Sequence, residues 1–257
     1  MCEVTGKSAN YLCGSMLDDH RRAASVLIFA FALIGCGPRA SIPPRPVEPQ
    51  LVRDAISRDD PGYDLARALA PVLYLQRDEE FPLERVVAVL HPTQRVVAYH
   101  LLWRDDVHGS WIPFTVPTDQ ELVWVGYDTS GAPTDMWTFW HGSILHTSWR
   151  DRGTITVNVQ WGKHGSLPRG LIESDLPGLR KLNAFYAFSW AGVWDMWLGL
   201  LTRPGPGCFC YSYRRYREFT RPLVLGDRID VVARAVDPKP LLAEVFGKSF
   251  SKKRPWP

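Results

Sequence analysis

Thr154-Ile155-Thr156-Val157-Asn158-Val159-Gln160-Trp161 alternates strictly between a polar and an apolar side chain. Successive side chains of a strand point to opposite faces, so this spacing puts Ile155, Val157, Val159 and Trp161 on one side and the polar set on the other. It predicts a half-buried antiparallel strand. Comparable runs lie upstream: Val72-Leu73-Tyr74-Leu75, Arg85 to Leu90, Arg95 to Trp103 and Glu121 to Tyr127 are rich in β-branched and aromatic residues. A further strand is expected at about 135–148. Turn chemistry separates the runs at Pro92-Thr93-Gln94, at Asp128 to Pro133 and at Arg150-Asp151-Arg152-Gly153. Six strands within about 90 residues, joined by loops of hairpin length, predict a mainly β chain built as an antiparallel β-sandwich.

The flanks read differently. Leu65 and Leu69, after Pro61-Gly62, predict a short helix. Leu179, Leu182, Tyr186, Trp190, Val193, Trp197 and Leu201 fall near helical spacing and predict a Trp-rich C-terminal helix added to the sandwich. Asp195 is the only charge between Ala184 and Leu201. A central carboxylate costs about 2.5–3.5 kcal/mol on insertion scales, so a buried or interfacial helix is expected rather than a membrane span. Short strands are expected at 223–225 and 229–236, and the basic tail from Lys248 to Pro257 reads as mobile.

Composition narrows the function classes. With 46% hydrophobic residues, 11 Trp, 9 Tyr and 11 Phe in 257 residues, the chain is not intrinsically disordered. Thirty basic against 27 acidic residues give a net charge of +3, too balanced for the footprint of a nucleic-acid-binding protein. The five cysteines, Cys2, Cys13, Cys36, Cys208 and Cys210, are too few and too clustered for a disulfide scaffold.

Near the N-terminus, Arg21-Arg22 precede the uncharged run Ala23 to Gly35, which is too short to span a bilayer comfortably. The run ends in Leu33-Ile34-Gly35-Cys36, which resembles the lipobox of bacterial lipoproteins. That resemblance implies a signal peptide over 1–35, with translation starting at Met1 or Met16. It also implies an acylated Cys36 holding the protein in the bilayer, since two or three acyl chains anchor stably where one does not. Gly37, where the inner-membrane retention signal has Asp, favours the outer membrane of the cell envelope. Residues 36–62, rich in proline at 38, 43, 44, 46 and 49, read as a tether, and 63–257 as a single β-rich domain.

Candidate chemistry gathers where strands begin and end. Asp105 and Asp106 close one strand; Asp119 and Glu121 open the next, on one face because they are two apart. Carboxylates converging there would suit a hard divalent cation, Ca²⁺ or Mg²⁺, or would be ordinary solvated groups paired with Arg104 or Arg150. His141, His146 and His164 are the histidine candidates, either structural or, with Asp119 or Glu121, a zinc site or an acid/base pair. His141 and His146 face opposite sides of one regular strand unless Gly142 marks a bulge. No HExxH, paired CxxC or GxSxG motif occurs. Cys208-Phe209-Cys210 reads as two small buried side chains or a metal or redox pair, and Tyr211 to Arg217 as a solvated strand face or one suited to anionic lipid, glycan or phosphate.

Tyr99 to Asp105, Asp119 to Val125 and Val159 to Gly165 together resemble the necrosis-inducing-protein-type β-sandwiches and the related Vps62-like domains. The resemblance implies a divalent cation on the acidic residues, here Asp105, Asp106, Asp119 and Glu121, with His164 near the end of a later strand. Thr118-Asp119-Gln120-Glu121 lacks the preceding His and the Trp of that family's heptapeptide, so cytolytic activity is not implied. Two functions follow as expectations. One is a membrane-anchored envelope lipoprotein acting as a binding or structural module with a divalent-cation site. The other is a metal-dependent hydrolase of envelope lipid or glycan. The second requires a pocket where a His and two carboxylates approach within about 4–6 Å.

Overall fold

Every residue of Val96–Trp103 is buried, which a strand achieves only where other layers cover both of its faces. The computed structural model, which describes residues 47–76, 79, 81–104, 119–140, 142–160, 162–170 and 219–257, supplies those layers. In chain order the strands are β1 (Val72–Gln76), β2 (Leu83–Leu90), β3 (Val96–Trp103), β4 (Asp119–Tyr127), β5 (Pro133–Trp140), β6 (Ser143–Ser148), β7 (Thr156–Val159), β8 (Ser166–Pro168), β9 (Phe219–Val224) and β10 (Val231–Arg234). They form a four-stranded sheet, β8-β7-β1-β9, and a six-stranded sheet, β10-β2-β3-β4-β5-β6. The helices are α1 (Pro61–Ala68) and α2 (Lys239–Phe246).

The two sheets close on each other as the expected β-sandwich. Leu73 and Leu75 of β1 and Val157 and Val159 of β7 share one core with Val86 and Ala88 of β2, Val97, Tyr99, Leu101 and Trp103 of β3, and Val123 and Val125 of β4. On the opposite face of the larger sheet, Val87, Val89, Ala98, Leu122 and Trp124 pack under Leu241, Leu242 and Phe246 of α2. Each buried Leu, Val or Phe contributes about 1.5–3 kcal/mol. The odd-and-even division of β2, β3 and β4 between two apolar covers explains why their sequences read as continuous hydrophobic runs.

Several details depart from the sequence reading. The stretch 154–161 narrows to β7, which pairs antiparallel with β8 but parallel with β1, in register Leu73↔Val157. Two of its polar residues are enclosed, Asn158 at 8% exposure and Gln160 at 2%, whereas Thr154 stays exposed. A second parallel pair joins β10 to β2. The single strand expected over 135–148 is the hairpin β5–β6; Trp140 pairs with Ser143, and Gly142 takes φ 85°, a conformation open to glycine. From Val47 onward the expected tether already belongs to the folded domain. Val52 packs beneath α2, Ala55 bridges Ala233, and Asp60 caps α1 by accepting from the Gly62 N–H at 2.7 Å. The tail after α2 is docked rather than mobile. The Trp-rich stretch 179–201 lies outside the described residues, among which no helix is long and apolar enough to cross a membrane.

Candidate functional site

The β3–β4 register sets Trp103 opposite Asp119 and Leu101 opposite Glu121. With a side-chain period of two, all four point from the larger sheet toward the smaller one. The smaller sheet answers with the turn after β7. Gln160 accepts from the His164 N–H at 2.9 Å and donates its own N–H to the Gly165 carbonyl at 3.0 Å. Gly162 takes φ 63°, and His164 itself takes φ 51°. A left-handed conformation in a non-glycine residue costs of order 1–3 kcal/mol and persists only where the surroundings hold it.

The surroundings are specific. The His164 ring lies flat on the Trp103 indole, centroids 4.2 Å apart and planes within 5°, with Phe81 edge-on at 6.0 Å. Its Nδ1 is 3.0 Å from Asp119 Oδ2 and its Nε2 is 3.4 Å from Glu79 Oε1. Glu79 is fixed in turn, accepting from the Phe81 N–H at 3.0 Å and from the Gly162 N–H at 3.1 Å. With a carboxylate at each nitrogen, both nitrogens donate and the ring is an imidazolium. Burial alone would strip its proton, yet the charge of Glu79 and the hydrogen bonds of Asp119 and Glu79 hold the pKa at about 9. Burial would likewise raise Asp119, but His164 and Lys253 hold it below the usual carboxylate range.

Glu121 behaves oppositely. Burial pushes its carboxyl up to about 8, with Lys253 pulling against that and Asp119 adding to it. Its Oε1 accepts from Lys253 Nζ at 2.8 Å, while its buried Oε2 has no hydrogen-bond partner among the described residues. On the other face of the same strand, the Gln120 amide meets His100 Nδ1 at 3.4 Å. Burial holds His100 neutral, its pKa lowered to about 3.

Of the five expected cation ligands, the fold therefore brings Asp119 and His164 into contact and sets Glu121 beside them on the same face. Asp105 and Asp106 lie outside the described residues, as do Cys36, His141, Cys208, Cys210 and the Tyr211–Arg217 run. Arg104, expected to neutralise a neighbouring carboxylate, pairs with Glu84 at 2.8 Å. His146 is remote from the cluster; it pairs with Asp135 at 2.8 Å and stacks on Trp137. Glu79, Gln120 and Lys253 were not singled out from the sequence. Glu79 stands in the charged run Arg77 to Glu80 and Lys253 in the basic tail, and both runs look solvated.

The described arrangement does not fit a metal. A metal-bound histidine offers a nitrogen lone pair, and both nitrogens of His164 face carboxylates. The cations already present are the imidazolium and the Lys253 ammonium. Among the described residues, no group of three His, Cys, Asp or Glu side chains is placed to hold an ion.

No protein-family model and no curated protein matches the chain. Solved structures of NLP toxin-fold proteins are similar to it. NLPPya in complex with glucosamine gives a TM-score of 0.35 at 14% identity, covering 49% of this chain and 76% of that one. NLPPya in complex with mannosamine gives 0.32 at 12% identity, over 48% and 75%. A protein whose toxin fold is a basis for microbial attack and plant defense gives 0.32 at 10% identity, over 56% and 90%.

Proposed function

We propose that the chain is a lipid-anchored protein of the bacterial cell envelope, held by an acylated Cys36, whose β-sandwich is a non-catalytic binding or structural module. The observation that supports the non-catalytic half is the closure of the His164 centre. A general acid or base must present a nitrogen or oxygen to its substrate. His164 is 0% exposed and commits one nitrogen to Asp119 and the other to Glu79. The hydrolase alternative asks for a histidine with two carboxylates in reach; this one has them at hydrogen-bonding distance and has no access. In this reading the buried charges organise one end of the sandwich, and recognition falls to exposed surface.

The anchoring half is supported by the order Arg21-Arg22, apolar run, Leu33-Ile34-Gly35-Cys36 and proline-rich segment. Partners in this reading are the bilayer, on the outer-membrane side of the envelope, and an anionic lipid or glycan met by Tyr211 to Arg217. Nucleic acid is not among them. The test expresses the full chain in a Gram-negative bacterium and analyses the Cys36 peptide by mass spectrometry. Cleavage before Cys36 with diacylglycerol on its sulfur is expected, and Cys36→Ser should release the protein from the membrane fraction. An uncleaved, unmodified Cys36 would overturn the anchor. Binding of the purified domain to phosphatidylglycerol vesicles is expected to exceed that to phosphatidylcholine vesicles.

A further inference from the structure

The last seven residues are held along β4. Ser251 donates both its backbone N–H and its hydroxyl to Gln120 Oε1 at 3.0 Å. The Trp124 indole donates to the Pro255 carbonyl at 2.7 Å, and the Trp256 indole donates to the Val236 carbonyl at 2.6 Å. Trp256 also meets His91 edge to face, with centroids 4.8 Å apart. Within this docked segment Lys252 takes φ 56°, a conformation that a non-glycine residue keeps only under constraint. Lys253 follows, and its side chain runs inward.

The place it reaches is defined by strand pairing. The β4–β5 ladder stops at Val123↔Thr138, whereas the β3–β4 ladder continues to Trp103↔Asp119. Asp119 to Leu122 thus extend past the end of β4's pairing with β5. There Lys253 Nζ donates to the Gln120 carbonyl and to Glu121 Oε1, 4.6 Å from the centre of the Phe139 ring. An ammonium suits such a niche, because it is a compact charge whose three donors need no fixed coordination geometry.

We propose that Lys253 is the resident cation of this acidic end: the tail delivers its ammonium to Asp119 and Glu121 in place of a divalent ion, and a divalent-cation site opens there only when that ammonium is removed. Charge balance favours this arrangement. Glu79, Asp119 and Glu121 bring three carboxyl groups, and His164 and Lys253 bring two cations. The two cations come within one charge of balancing the three carboxylates, and a dication added to the cluster would leave a buried excess of positive charge.

The test uses the full chain at about pH 8, because metal ligands must be deprotonated to bind. Metal analysis of the wild-type protein should find substoichiometric Ca²⁺, Mg²⁺ and Zn²⁺, and EDTA should leave its melting temperature unchanged. Lys253→Met should melt roughly 10 °C lower, and millimolar Ca²⁺ should restore at least half of that loss while leaving the wild type unmoved. Lys253→Arg, which keeps the charge in a bulkier group, should melt between the two and show no response to Ca²⁺. If Lys253→Met does not fold, refolding that depends on Ca²⁺ supports the proposal. A stoichiometric metal in the wild type, a chelator-sensitive wild type, a Lys253→Met variant as stable as wild type, or one indifferent to Ca²⁺ would each overturn it.

Discussion

Titrating the folded domain from about pH 6 to about pH 10 tests the charged centre without changing an atom of the sequence. His164 keeps its proton up to about 9, against 6.5 for an ordinary histidine. Between those values the folded state binds a proton that the unfolded chain has lost, so stability falls as pH rises. The contribution is complete below about 6.5 and gone above about 9. At about 1.4 kcal/mol for each tenfold change in proton affinity, this span amounts to roughly 3 kcal/mol. Glu121, raised from 4.5 to about 8, acts with the same sign in a lower window, complete below 4.5 and lost through 8. The assay is urea unfolding across the pH series, followed by tryptophan fluorescence, with the slope against denaturant checked for constancy. The wild type should lose roughly 5 kcal/mol between about pH 6.5 and 9, about 3 through His164 and about 2 through Glu121, and His164→Gln should be lower at neutral pH, keep only the Glu121 part of the loss, and be flat above about pH 8. If His164→Gln does not fold, Asp119→Asn, which removes one of the two partners, should complete the loss at a lower pH. A wild-type curve that is flat from 6.5 to 9 would refute the imidazolium and with it the account of why a histidine is buried there.

Acid should act through a different residue. His100 is held neutral with a pKa of about 3, so its contribution is present above 6.5 and lost as pH falls toward 3; His100→Gln should flatten the acid limb of the same titration. Gly165→Ala would place a methyl 2.8 Å from Trp140 Cε3, and with both neighbours buried it should cost about 1–3 kcal/mol in urea unfolding. Tyr99→Phe removes a hydroxyl that donates to the Ala66 carbonyl at 2.7 Å and fastens α1 to β3; calorimetry should record a melting temperature lower by a few degrees, from a loss of about 1–2 kcal/mol.

What could be read from the sequence and what could not divide along a physical line. The runs at Val72, Arg85, Arg95 and Glu121 were legible because period and β-propensity are local properties, and a core face on each side only strengthens them. The stretch 133–148 reads locally as one strand, and it breaks into a hairpin at Gly142, the position where the sequence leaves an interruption open. The parallel pairs β1–β7 and β10–β2 join segments about 84 and 144 residues apart, as Leu73↔Val157 and Val87↔Val231 show. No local pattern encodes such crossovers, and a strand that alternates cleanly, as 154–161 does, reads the same beside a parallel or an antiparallel neighbour.

The site divides in the same way. Asp119 and Glu121 share a face by simple arithmetic, and that was visible. Their fates differ because of residues that arrive from far along the chain. Asp119 meets His164 and stays ionised, whereas Glu121, two positions on, is buried more deeply than its lysine can offset. Glu79 looked like one more solvated acid because nothing within its own segment buries it; the Gly162 N–H and His164 do, from across the sandwich. Lys253 looked like part of a loose basic tail because lysines at chain ends usually are. What overrides that expectation is the pair of indoles. The buried Trp124 indole and the half-buried Trp256 indole each need a carbonyl, and docking the tail supplies both, Pro255 serving Trp124 while Trp256 finds Val236. Once those aromatic contacts fix the chain end, Lys253 has little room to point elsewhere, and the charge that balances the acidic end follows from apolar packing rather than from any charge pattern a sequence displays.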